Sequence, residues 1–99
     1  MNSNRVRPQE NMSAEEARRI IIKPYITEKA FNLIEGQNMI IFIVNHKATK
    51  KHIKAALRSL YEIEAQGVNT LRSIRGKKAI VKFATAEGAR DLATSLGLV

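Results

Sequence analysis

The sequence predicts an α/β sandwich whose mixed, largely antiparallel four-stranded sheet packs with helices in the order β-α-β-α-β-β-α. Three observations predict it. Four runs rich in β-branched residues have strand length, from Ile20, Met39, Ile63 and Ala79. Helical patterns opened by threonines separate the first three of these runs. The last two strands are joined only by a turn around Gly76, which closes the sheet with a hairpin.

The elements follow in order. Residues 1–19 read as a polar tail, ordered only in part, and residues 20–99 as the single folded domain. Within the tail, Ser13-Ala-Glu-Glu16 has the form of a capping box, but a helix over Ala14 to Arg19 has little apolar face to bury. Ile20-Ile-Ile22 is a first strand, stopped by Lys23-Pro24. Thr27 caps the next helix, Ile26 and Phe31 occupy the positions of a hydrophobic staple, and Ala30, Phe31 and Ile34 face inward. Gly36 is expected to end it. Met39 to Val44 is apolar at every position, the mark of a strand inside a sheet.

Thr49 caps a second helix that runs to about Tyr61. Its apolar side is Ile53, Ala56, Leu57, Leu60 and Tyr61. At about 100° per residue, Lys50, Lys51, Lys54 and Arg58 fall beside that arc, joined by Lys47 if the first turn reaches it. His52, Ala55 and Ser59 take the far side, and no acid neutralises the basic stripe. Ile63 to Ile74 is a third strand, irregular near Gly67, and Ala79 to Phe83 a fourth. Thr85 is expected to cap a last helix with Ala89, Leu92, Ala93 and Leu96 inward and Gly97 closing it.

Composition narrows the function. The 99 residues make one domain, and the absence of Cys removes disulfides and thiolate metal sites. The longest apolar run has six residues, against about 20 for a membrane span. No apolar stretch follows Arg5 and Arg7, so a secretory leader is not expected and the cytosol is the default location. Nothing points to an enzyme: His46 and His52 do not share a helix face, Glu62 and Glu64 read as a solvated strand edge, and no glycine-rich phosphate loop exists. No cofactor, metal or small-molecule substrate is implied.

The net charge is +8, and its placement matters more than its size. Between Asn45 and Phe83 stand ten of the seventeen Lys and Arg residues against two of the nine acids. Such a surface fits a polyanion. Arg75-Gly76-Lys77-Lys78-Ala79 begins like an RNA-recognition motif, but Lys77 and Ala79 hold the aromatic places. Cationic contact with the phosphates and sugars of a structured RNA is what remains. The competing reading is a protein-interaction module with incidental charge, motivated by the continuous apolar strand and the carboxyl end Leu96-Gly-Leu98-Val99.

Five stretches then resemble one family. Pro24-Tyr-Ile-Thr-Glu-Lys29, Ala48-Thr-Lys50, Ile53-Lys54-Ala55-Ala56, Val68-Asn69-Thr70 and Lys77-Lys-Ala-Ile-Val81 are similar, in order, to the universal large-subunit ribosomal protein L23 family. The resemblance covers about Ile20 to Val99. It implies a structural protein bound to large-subunit ribosomal RNA beside the nascent-chain tunnel exit, a neighbour of the L29 family, and an exposed side that docks factors such as the signal recognition particle. The RNA-contacting motifs it implies fall on Thr27, Glu28, Lys29, Lys50, Lys54, Asn69, Thr70, Lys77 and Lys78. The charge pattern adds Lys47, Lys51, Arg58, Arg72, Arg75 and Lys82. Thr49 stands where the family often has Asn, His52 where an acid is common, and Phe83 where Leu is usual. The short last turn and short tail resemble archaeal members.

Overall fold

The computed structural model describes residues 12–74 and 76–98. Its elements run α1 (Ala14–Ile20), β1 (Ile21–Pro24), α2 (Glu28–Gln37), β2 (Met39–Val44), α3 (Lys50–Tyr61), β3 (Ala65–Ser73), β4 (Gly76–Phe83) and α4 (Gly88–Ser95). The four strands form one antiparallel sheet in the order β1-β2-β4-β3. The expected sheet, its order of elements and its closing hairpin are therefore present. The wholly apolar β2 lies inside, between β1 and β4, as its composition requires.

All four helices pack on one face of the sheet. A single core joins Ile40, Phe42, Val44, Val68, Ala79, Val81 and Phe83 of that face to Ala17 of α1, Ile34 of α2, Ile53, Ala56 and Leu57 of α3, and Ala89, Leu92 and Ala93 of α4. Phe42, Ile40, Ile53, Leu57, Val44 and Val81 are its largest fully buried side chains, each contributing about 1.5–3 kcal/mol. Phe42 stacks with Tyr61 at a centroid separation of 6.4 Å, and burial pushes the Tyr61 phenol up from its ordinary pKa. Leu96 and Leu98 pack against this core, so the apolar carboxyl end serves the fold itself. Among the described residues, no helix packs on the opposite sheet face.

Several boundaries differ from the sequence expectation. β1 continues through Lys23 and Pro24, because an edge strand tolerates a residue without an N–H. The pairing even extends beyond it, Tyr25 N–H donating to Ile41 O at 2.8 Å. Thr27 does cap α2, its Oγ1 accepting from Ala30 N–H at 3.0 Å, while Ile26 stays 47% exposed. Gly36 does not end α2. The helix passes through it to Gln37, and Asn38 takes the left-handed conformation at φ 58°. The bulge near Gly67 is present, between Ala65 and Gly67.

Thr85 is not the side-chain cap of α4. Asn38 does that work from 51 residues away: its Oδ1 accepts from Ala89 N–H at 2.9 Å, and its Nδ2 donates to Thr85 O at 2.6 Å and Phe83 O at 3.3 Å. Gly97 closes α4 as expected, at φ 76°. Leu98 N–H bonds Ala93 O and Gly97 N–H bonds Thr94 O, the paired bonds of a Schellman motif. Helix α1 forms behind Ser13, whose Oγ accepts from Glu16 N–H at 3.1 Å. It packs on α3 through the fully buried Ala17.

Candidate nucleic-acid interface

Helix α3 sets the first group of cations. Thr49 Oγ1 accepts from His52 N–H at 3.2 Å, and His52 Nδ1 accepts from Thr49 N–H at 3.3 Å. This reciprocal capping box, with His in the place usual for an acid, fixes the first turn at Lys50. With Ile53, Ala56 and Leu57 then committed to the core, Lys50, Lys51 and Lys54 are left exposed on one flank. Lys47 precedes the helix and is not part of its stripe. Its N–H bonds Asn45 Oδ1 in the approach loop, and its side chain is exposed.

Two expectations about α3 need correction. Its far side is covered, since Ala55 is buried and Ser59 Oγ donates to Met12 O at 2.9 Å beside α1. Alanines and a serine count little in an apolar pattern, yet they admit another helix closely. The stripe is also not free of acids at its end. Arg58 reaches both carboxylate oxygens of Glu64, at 2.6 and 2.5 Å, because the chain turns back after Tyr61 into β3. Among the described residues, the part of the stripe without an ion pair is its first turns, with Glu16 sharing a cleft with Lys47 and His52 alongside.

The hairpin supplies the second group, and strand register divides it between two faces. Opposed residues across an antiparallel pair share a face. Ile21, Val44, Lys77 and Arg72 form one row on the covered face, and Phe42, Ala79 and Thr70 belong to the next. Lys77 is half-buried there and donates Nζ to Ala48 O at 2.8 Å, which ties β4 to the loop before α3. Arg72 is exposed and Thr70 half-buried. Lys78, Lys82 and Asn69 lie on the uncovered face. Arg75 lies outside the described residues.

The third group is the start of α2. Thr27 is occupied as the cap, while Glu28 and Lys29 are exposed in the first turn. This group joins the uncovered face through Tyr25, two residues before Thr27, whose ring holds Lys78 Nζ at 3.9 Å from its centroid. Sequence reasoning missed Lys23 and Tyr25. Lys23 was read as the residue that stops a strand, and only its register opposite Ile43 shows which face it joins. Among the described residues, no three His, Cys, Asp or Glu side chains gather to hold a metal. None of the described helices is long and apolar enough to cross a membrane.

Comparison with known proteins agrees with the geometry. A family model described as ribosomal protein L23 matches residues 19–91. The chain is 40% identical over 80 residues to the large ribosomal subunit protein uL23 of Methanothermobacter thermautotrophicus, covering 80% of this chain and 93% of that one. It is 41% identical over 81 residues to the large ribosomal subunit protein uL23B of Caenorhabditis elegans, covering 81% of this chain and 56% of that longer protein. The match takes in every strand and the cation-bearing helix α3, so the chain belongs to the ribosomal protein L23 family.

Proposed function

We propose that this protein is a structural constituent of the large ribosomal subunit, bound to ribosomal RNA in the cytoplasm. The observation that carries the reading is the exposed cationic flank of α3, Lys50, Lys51 and Lys54, held rigid by the capping box and the core beside Arg72 and Lys77 on the same side of the hairpin. Cations fixed on a frame contact phosphates in a set geometry and so select an RNA shape. Lys47, Lys82, Asn69, Thr70, Arg75 and the Thr27-Glu-Lys29 turn complete the proposed contact set, with Arg58 at its margin because Glu64 engages it. Residues 20–99 are the RNA-binding unit, on which α1 of the preceding segment packs through Ala17.

Family membership supports a finer placement beside the nascent-chain tunnel exit, next to a protein of the L29 family, with the side turned from the RNA open to the signal recognition particle. Strands β3 and β4 are joined by residues 74–75 alone, too short a turn to reach along a tunnel wall.

Sedimentation of a native lysate, with the protein followed by mass spectrometry before and after ribonuclease, tests the reading. It should run with the large subunit and leave on RNA digestion. Persistence at the top of the gradient in both samples would defeat it. With about 8 phosphates engaged, log K for a ribosomal RNA transcript should fall with log salt at a slope of roughly −6 to −7.

A further inference from the structure

The uncovered face of the sheet is laid out by register as three rows. The first runs Lys23, Ile43, Lys78, Leu71 across β1-β2-β4-β3. Tyr25, Ile41, Ile80 and Asn69 make the second, and Met39, Lys82 and Gly67 the third. None of the described helices packs there: Ile41 is buried between its neighbours yet outside the core cluster, and Leu71 is 50% exposed. Among the described residues, these rows hold three lysines and no acid, and Glu35 and Glu87 border them at Lys82. Lys78 and Lys82 are four residues apart on β4, about 13 Å, and Lys23 lies two strands from Lys78, about 10 Å. They surround an apolar centre of Ile43 and Ile80, with the Tyr25 ring at its edge beneath the Lys78 ammonium.

We propose that this face is a second RNA seat, on which a single-stranded or looped segment lays its phosphates on Lys23, Lys78 and Lys82 and stacks one base on Tyr25 beside Ile43. This rests on the ribosomal RNA reading and extends it to a surface opposite α3. Charge favours the occupant. Lys23 and Lys78 stand clear of acids in their rows, while Lys82 shares a groove with Glu35 and Glu87, so the positive potential that attracts a polyanion centres on Lys23 and Lys78. The flat apolar centre suits a base or ribose. The Lys78–Tyr25 pair prepares the site. A phosphate that draws the ammonium off the ring leaves an aromatic face open for stacking. Because α3 lies on the covered side, one straight duplex cannot lie flat on both surfaces. The RNA must fold around the hairpin end, where the two meet.

The test compares the full chain with three variants on one large-subunit ribosomal RNA transcript across a salt series, with circular dichroism as the check on folding. Lys23→Gln/Lys78→Gln/Lys82→Gln should make the salt slope shallower by about 2–3. Tyr25→Ala should weaken binding about 5- to 150-fold through lost stacking, with the slope changed little. Lys50→Gln/Lys54→Gln should make the slope shallower independently, by about 1.5–2. If the helix variant acts but the folded sheet variants bind like the parent, the second seat is overturned, Lys78 and Lys82 leave the contact set, and the ribosomal reading stands on α3. If the parent chain shows no salt-dependent RNA binding, both fall. If the sheet variants keep RNA but lose a neighbouring ribosomal protein in reconstituted subunits, the face belongs to protein and the proposal is overturned.

Discussion

Asn38 joins three elements with one side chain. It ends α2 in the left-handed conformation, leads into β2, and supplies both an acceptor to the start of α4 and donors to the end of β4. Left-handed backbone costs an ordinary residue about 1–2 kcal/mol, and Asn is one of the few that tolerates it. Each hydrogen bond adds about 1 kcal/mol. Asn38→Ala should therefore destabilise the fold by roughly 3–4 kcal/mol in denaturant melts. Asn38→Gly, which relieves the backbone but not the lost bonds, should recover about 1 kcal/mol of that. Equal losses for the two variants would show that the backbone conformation is not strained. Nothing local in the sequence identifies this role, since the partners lie 45 to 51 residues away. Thr27 and Thr49 were legible because a cap meets its partner three residues on.

Helix α2 offers a test at the scale of an element. Gly36 looked like a terminator, but it sits inside the helix, exposed, with nothing within 4 Å of where a Cβ would stand. Gly36→Ala should then stabilise by about 0.5–1 kcal/mol, whereas a true left-handed terminator would lose stability on the same change. Helix α1 gives the complementary case. It has seven residues, too few to persist alone, and its fully buried contact is a single alanine. Ala17→Glu would bury an unpaired carboxylate against α3. Hydrogen exchange should show α1 amides losing protection while β2 and β4 keep theirs. Simultaneous loss in all three would mean that α1 is integral to the cooperative core. The strands and the amphipathic α3 were readable because their periods are strong. The docking of α1 was not, because Ala17, Ala55 and Ser59 make an interface by being small. The cationic stripe was likewise legible as a period on one helix. Its truncation at Arg58 was not, since Glu64 belongs to the next element.

The molecule as a whole is mainly basic at one end of the hairpin and mixed in charge at the other, where Lys82 and Arg90 meet Glu35 and Glu87. Strand pairing places the β3–β4 turn, the end of β2 and the start of α3 together, and with them Lys47, Lys50, Lys51, Arg72 and Lys77. At the other end of β4 lies a groove of about 430 Å³ lined by Glu62, Glu64 and Asp91 over Tyr61, Phe83 and Leu92, with Glu87 nearby at the start of α4. Lys77 and Phe83 are six residues apart on β4, so the ends are about 20 Å apart. The Debye length near 0.15 M salt is about 8 Å, so at that salt a charge at one end is little felt at the other. Lys50→Glu/Lys54→Glu should weaken ribosomal RNA binding by at least tenfold with circular dichroism unchanged, because both side chains are exposed. Asp91→Lys, in the groove that Lys82 does not line, should leave affinity within about twofold at that salt. At about 0.01 M, where the Debye length reaches about 30 Å, the same reversal should tighten binding, since the far end then feels the polyanion. A large effect of this reversal at 0.15 M would mean that RNA reaches the groove of Glu62, Glu64 and Asp91 itself, and the reading of that groove as lying outside the RNA contacts would have to be abandoned.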